Sequence, residues 1–405
     1  MRANREAGAG KGWGDGDWGR FLGFARGVLP ARLGRRFRMN TRCRLGPLAW
    51  AAALALAGAM ACGAEPAPAV AATATWPGAR WETRAPAALG LGPDALEALS
   101  RHVGGRGCVV RHGALAYSWG DPAASSDVAS AFKPLLSVLL LVAVQEGRLP
   151  GVDARVAEVE PRLLELNRGK DAAITWRHLA MQTSGYGLAE RPGAAYAYND
   201  YALTFYFDTL MDRVFRTNAT EVLRTRLAGP LQFEDPCTFN AFGPHNRPGR
   251  LALSCRDFAR FGLLVLRGGR WRDRALVRPE LLRLAISSPL PADFPRTGGQ
   301  EAPMLPGQRT MGGKRNLTPV GPGYYSFNWW LNGTNAAGQR LFPGAPPDAF
   351  AASGHGGKRV LFLVPSLDLI VCWNDSPIQD HDTSPGNPGT RMNQAVRRIL
   401  ACVDR

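Results

Sequence analysis

Apolar residues in this chain gather into a few strongly patterned stretches, and the pattern changes along the chain. Cys108-Val109-Val110-Arg111 and Leu115-Ala116-Tyr117-Ser118-Trp119, joined through His112-Gly113, read as a β-hairpin with His112 in the turn. A run from Leu135 to Val144 follows that is apolar on every side, which predicts a helix buried in a core. At under about 18 residues it is too short to read as a membrane span. Pro134 fits a helix starting at Ala131, because the first N–H groups of a helix have no internal partner, and that start leaves Ser130 at the cap. Residues 156–166, 174–181, 200–214 and 256–266 carry helical periodicity broken by Gly and Pro, the last with Phe258, Phe261, Leu264 and Val265 on one face. Residues 285–323 are dense in Pro and Gly and predict a long loop region.

Further on the pattern returns to β. Ser326-Phe327-Asn328-Trp329-Trp330-Leu331 predicts one strand. Arg359-Val360-Leu361-Phe362-Leu363-Val364 and Leu369-Ile370-Val371-Cys372-Trp373 predict a hairpin across the Pro365-Ser366-Leu367-Asp368 turn. Short helices frame the whole: one opening at Pro93-Asp94 and one over residues 390–402. The order predicts an α+β fold, with residues 91–148 and 324–405 sharing an antiparallel sheet flanked by the terminal helices. Residues 149–323 are expected to form a mainly helical insertion.

Composition changes the picture chiefly at the N-terminus. Of the net charge of +16, residues 1–38 carry +6, residues 39–71 carry +1 and the remainder +9 as scattered arginines. Without a basic block or a Lys/Arg stripe interleaved with aromatics, nucleic acid is not an expected partner. Residues 39–71 have the form of an export signal: a basic start at Met39, an uncharged Ala/Leu stretch, and small residues at Ala59-Met60-Ala61 or Ala69-Val70-Ala71 for cleavage. The expected location is therefore periplasmic or secreted. Residues 1–38 read as an upstream extension, or alternatively as a leader, and residues 72–90 as a linker. Cys62 after Ala61 raises a lipid-anchored alternative, weakened by Ala59 where Leu is usual. Of seven cysteines, five follow this leader; Cys237 and Cys255 can pair in an oxidising compartment, but apolar contexts favour buried thiols. No metal or cofactor is expected, and Asp380-His381-Asp382 reads as a solvated loop rather than a metal site.

Three clusters carry candidate chemistry. Ser130 and Lys133 stand one helical turn apart at the mouth of the buried run. Only five of the 49 basic residues are lysines (11, 133, 170, 314 and 358), and a desolvated lysine can release a proton where an arginine cannot. A nucleophile with its general base is one reading; a capping serine beside a snorkelling lysine is the other. Tyr196-Ala197-Tyr198-Asn199-Asp200 supplies a phenol that can relay protons when it lies beside an ammonium, or else core aromatics at a helix start. Ser353-Gly354-His355-Gly356-Gly357-Lys358 supplies glycines against which a substrate can lie, or else a flexible loop.

Taken in order, Ser-x-x-Lys at 130–133, Tyr-x-Asp at 198–200 and His-x-Gly at 355–357 resemble the three signatures of the serine β-lactamase and penicillin-binding protein superfamily. The likeness is closest to class C β-lactamase-like serine hydrolases and esterases and covers about residues 84–400. The resemblance implies that Ser130 is acylated by an ester, lactam or peptide, with Lys133 and Tyr198 sharing base and acid duty. It also implies an oxyanion hole from the backbone N–H groups of Ser130 and Lys358 beside Gly357, with His355 as a wall or substrate contact. Asp200 departs from the usual Asn: a carboxylate accepts from Lys133 but, ionised, cannot donate to a substrate carbonyl. The expectation is an exported serine hydrolase acting on a small ester, amide or peptide. The alternative is a penicillin-binding or sensor module that keeps the fold without turnover. No serine lies in Gly-x-Ser-x-Gly, and the Gly14 to Gly19 dinucleotide-like pattern follows no strand.

Overall fold

The computed structural model describes residues 75–242, 247–312, 315, 320–380 and 386–404. The expected extension, signal peptide and Cys62 anchor lie outside these residues.

The strands are β1 (Arg106–Arg111), β2 (Ala114–Trp119), β3 (Ser126–Asp127), β4 (Thr238–Ala241), β5 (Pro248–Leu253), β6 (Arg270–Trp271), β7 (Arg274–Ala275), β8 (Tyr325–Ser326), β9 (Trp329–Leu331), β10 (Phe350–Gly354), β11 (Arg359–Val364) and β12 (Leu369–Asn374). The helices are α1 (Pro93–Val103), α2 (Lys133–Gln145), α3 (Trp176–Ala180), α4 (Asp200–Thr209), α5 (Ala219–Leu223), α6 (Cys255–Leu266), α7 (Pro279–Ser287) and α8 (Arg391–Ala401). Seven strands form one antiparallel sheet in the order β2-β1-β12-β11-β10-β9-β8. The two ends of the domain meet where β1 pairs with β12, from Arg106 opposite Asn374 to Arg111 opposite Leu369. The fold is α+β, as the sequence predicts.

Both faces of this sheet are covered, which explains why β11 and β12 read as continuous apolar runs rather than alternating ones. Val360, Phe362, Val364, Val371 and Trp373 pack beneath α1 and α8, against Leu96, Leu99, Val396 and Ile399. Leu361, Leu363, Ile370 and Cys372 face the opposite layer, where α2, α6 and the helical insertion form the larger core. Every residue from Lys133 to Ala143 is buried, so α2 is the central rod of that layer. Among the described residues, no helix is long and apolar enough to cross a membrane.

Several expectations are corrected. Residues 156–166 form two single 3-10 turns, Val156–Glu158 and Pro161–Leu164, because Pro161 has no N–H to donate and holds Glu160 out of the helical region (φ −129°, ψ 76°). The strand expected at 326–331 is a hairpin: Phe327 and Asn328 both take left-handed φ (43° and 68°), and Tyr325 pairs with Trp330. Strand β10 was hidden in Phe350-Ala351-Ala352-Ser353-Gly354, whose small residues carry little β signal. Residues 75–90, expected as linker, are strapped down: Trp81 is buried, its N–H donates to Glu234 and its indole to the Arg256 carbonyl. The cysteines agree with expectation: Cys108, Cys255, Cys372 and Cys402 are buried free thiols, and Cys237 is a half-buried one.

Candidate active site

The turn bearing Ser130 is set up by Asp127. Its Oδ1 accepts the Ala129 N–H at 2.7 Å, and Ala129 bends into left-handed φ (47°) as the chain enters a 3-10 turn over Ala129–Phe132. Helix α2 begins only at Lys133, so Ser130 lies in this turn rather than at the helix cap expected for it. Strand β10 runs in beneath it. A Cβ added at Gly354 would stand 2.9 Å from the Val128 carbonyl oxygen and 3.1 Å from the Ser130 and Ala131 amides, so only glycine fits there without displacement.

Lys133 is 2% exposed, and its side chain reaches back along the turn. Its Nζ donates to Ser130 Oγ at 3.1 Å, to Tyr198 Oη, and to Asp200 Oδ1 at 3.4 Å. Ser130, Lys133, Tyr198 and Asp200, from two clusters well apart in sequence, thus share one point. Tyr198 is delivered by a loop anchored on Gln182, whose carbonyl accepts from Ala197 N–H and whose Oε1 accepts from Asn199 N–H, each at 2.9 Å. Asn199 caps α4 through Oδ1, to the N–H groups of Tyr201 and Ala202, which explains why it cannot also face the lysine. Asp200 consequently points inward from the first turn of α4. Gly312 packs on its carboxylate so closely that a Cβ there would collide with it.

The ring of Tyr198 is held from two sides. Trp330 stacks on it (5.9 Å between centroids, 18°) and Tyr325 meets it edge-on (6.1 Å, 80°). Burial pushes the Tyr325 phenol well above the ordinary tyrosine range, so it stays protonated and acts as a donor.

The glycine segment is placed differently from expectation. Residues 355–358 form the turn between β10 and β11, in which the Lys358 N–H donates to the His355 carbonyl at 3.2 Å. Gly357 faces the α1/α8 layer: its carbonyl accepts from the Trp373 indole at 2.8 Å, and a Cβ on it would stand 2.9 Å from Ile378 Cγ2. Neither Gly357 nor the Lys358 amide is directed at Ser130. Three glycines occur within four residues, and the small residues of β10 carry little β signal, so the sequence does not single out Gly354, which is the one in contact with the serine turn. His355 is exposed at left-handed φ (48°), and its Nδ1 accepts from Arg359 Nη1 at 2.7 Å. Partial burial, with the cations Arg359, Arg250 and Lys358 outweighing the anion Asp127, depresses the imidazole below its ordinary value.

Sequence reasoning also missed Tyr325, Asn328 and Trp330 as supports of the site. The only signal for them was an Asn at a position that could turn the chain. No group of metal-ligating side chains that could hold an ion occurs among the described residues, and Asp380 accepts the Met392 N–H at 2.6 Å; His381 and Asp382 lie outside them.

Solved structures share this fold at low identity. A β-lactamase from Mycobacterium bovis is 19% identical, with a TM-score of 0.51 over 75% of this chain and 99% of that one. A penicillin-binding protein homolog from Caulobacter crescentus is 15% identical, with a TM-score of 0.52 over 77% and 99%. EstCE1, a hydrolase with promiscuous acyltransferase activity, is 13% identical, with a TM-score of 0.54 over 75% and 97%. No curated protein sequence matches this chain. The Beta-lactamase family matches residues 94–373, a span running from α1 to β12 and holding the Ser130 turn, Tyr198 and the end of β10. This chain therefore belongs to the Beta-lactamase family.

Proposed function

We propose that this protein is an exported serine hydrolase that forms an acyl-enzyme on Ser130 and cleaves a small ester or amide. The observation that carries the reading is the buried Lys133 Nζ within 3.1 Å of Ser130 Oγ and in hydrogen-bond contact with Tyr198, a pair that takes up the serine proton when one of the two is deprotonated. Ser130 Oγ attacks the substrate carbonyl as its proton passes to the Lys133/Tyr198 pair. The tetrahedral intermediate then collapses, and the alcohol or amine leaves with a proton returned through Tyr198. Water repeats the sequence on the acyl-enzyme and releases the acid.

For the oxyanion we assign the N–H groups of Ser130 and His355 in place of Lys358. Asn332 N–H donates to the Ala349 carbonyl, so backbone groups of 349, 351, 353 and 355 turn toward the β9 side. Strand β9 pairs only as far along β10 as Ala351, which supports an unpaired His355 N–H one residue beyond Gly354, the glycine that packs on the Ser130 amide. Asp200, which stands where the resemblance implies an Asn and as a carboxylate cannot donate to a substrate carbonyl, weighs against efficient β-lactam turnover and so favours an ester as substrate. The export signal at residues 39–71 supports a periplasmic or secreted location, with a lipid anchor at Cys62 as the lesser alternative.

Intact-mass analysis after treatment with a fluorophosphonate, followed by peptide mapping, tests the assignment. One adduct on Ser130 is expected, together with turnover of p-nitrophenyl esters; both should vanish in Ser130→Ala, and in Lys133→Arg, which keeps the charge but cannot release a proton. An adduct elsewhere, or wild-type rates in either variant, would overturn it. The Asp200 carboxylate, an acceptor competing with Ser130 and Tyr198 for Lys133 protons, favours a second reading: an acylated module without turnover. Stoichiometric labelling with no steady-state ester hydrolysis would select it.

A further inference from the structure

Behind Lys133 runs a buried hydrogen-bonded chain that none of the three signatures contains. Asn328, 2% exposed, sits at left-handed φ (68°) in the turn of the β8–β9 hairpin. Its Nδ2 donates to Ser137 Oγ at 2.7 Å and to the Lys133 carbonyl at 3.3 Å, while its Oδ1 accepts from Tyr325 Oη at 2.9 Å. The arrangement has one amide orientation: a carbonyl oxygen can only accept, so the NH2 faces the helix and the oxygen faces the phenol. The Tyr325 hydroxyl, which can donate as well as accept, is compatible with that orientation and donates to the amide oxygen.

The same hairpin supplies both rings that hold Tyr198. Tyr325 meets Tyr198 edge-on and Trp330 at 4.8 Å (76°), and Trp330 stacks on Tyr198. One rigid two-stranded element therefore grips the two partners of Ser130 separately: Lys133 through its own carbonyl and Ser137 one turn on, and Tyr198 through its ring. The turn cannot slide along α2 without breaking the hydrogen bonds donated by the Asn328 amide, or tilt without disturbing the aromatic contacts.

We propose that Asn328, oriented by Tyr325, is a positioning residue that fixes the register of Lys133 against Tyr198 and so sets proton transfer from Ser130. The inference rests on the hydrolase reading above. It assigns the hairpin a role in the reaction beyond closing the sheet edge.

The test is the rate of fluorophosphonate labelling as a function of pH, with thermal unfolding of the same samples, for wild type, Asn328→Asp, Asn328→Gly and Tyr325→Phe. Asn328→Asp keeps the shape but turns an acceptor toward the Lys133 carbonyl; Asn328→Gly keeps the left-handed backbone without the side chain. Both are expected to label about 10- to 100-fold more slowly, the scale of a small misplacement of a reacting group, with a displaced midpoint in the pH–rate profile. Tyr325→Phe retains every ring contact and removes one oxygen, and a smaller slowing with displacement in the same direction is expected. If Asn328→Asp does not fold, Tyr325→Phe and Asn328→Gly decide. Folded variants that label at the wild-type rate with the wild-type profile would overturn the proposal, as would slower labelling with an unmoved profile, which a purely structural role predicts. Absence of Ser130 labelling in the wild type would instead overturn the hydrolase reading itself.

Discussion

At the scale of single residues, the roles divide by what each side chain already touches. Lys133 was legible in the sequence because a lysine is a costly choice inside an apolar run where this chain otherwise writes arginine. Gly354 was not, because its need for a missing Cβ arises from the Ser130 turn, 224 positions upstream, pressing on it in space. His355 shows how neighbours set chemistry: accepting from Arg359 through Nδ1 leaves Nε2 to carry the proton of a neutral ring. Arg359, Arg250 and Lys358 face this ring as cations, and Asp127 as the single anion. A depressed imidazole favours the neutral form in the fold. Its contribution to stability is present above the ordinary value of 6.5 and lost as pH falls through the folded value. An NMR titration of His355 should show a midpoint below 6.5, and Arg359→Met should move it upward, though not the whole way, since burial is the larger cause. A midpoint unchanged by that substitution would refute the pairing.

At the scale of elements, α2 and the β8–β9 hairpin act together. The uniform apolarity of α2 announced a buried rod, whereas its entrance was opaque: a 3-10 turn started by an Asp127 side-chain bond leaves no periodic trace. Similarly, Ser326 to Leu331 scored as one strand because no glycine marked the turn that Phe327 and Asn328 make. Leu139, fully buried in α2, lies in the core that supports this entrance. Leu139→Ala should lower the unfolding free energy by about 2–5 kcal/mol, measured by denaturant titration, since it deletes apolar contacts and opens a cavity. A loss below about 1 kcal/mol would mean that α2 is less tightly packed than its burial implies.

At the scale of the whole molecule, the sheet is completed by strands from opposite ends of the domain, with α8 closing its outer face over Phe362, Val371 and Trp373. Deleting residues 391–405 should uncover that face, giving dye binding and loss of a cooperative melt; a cooperative transition like that of the full chain would show α8 to be dispensable. Residue type and spacing were enough to tell which segments are apolar and with what period, and so the α+β class, the central buried helix and the candidacy of Ser130, Lys133 and Tyr198, because these are local properties of the chain. Only the tertiary structure decided which glycine meets the serine turn, where the 355–358 turn directs its N–H groups, and which hairpin braces Lys133 and Tyr198. Those depend on strand register and on close approach between segments far apart in the chain, and neither is written in any one stretch of it.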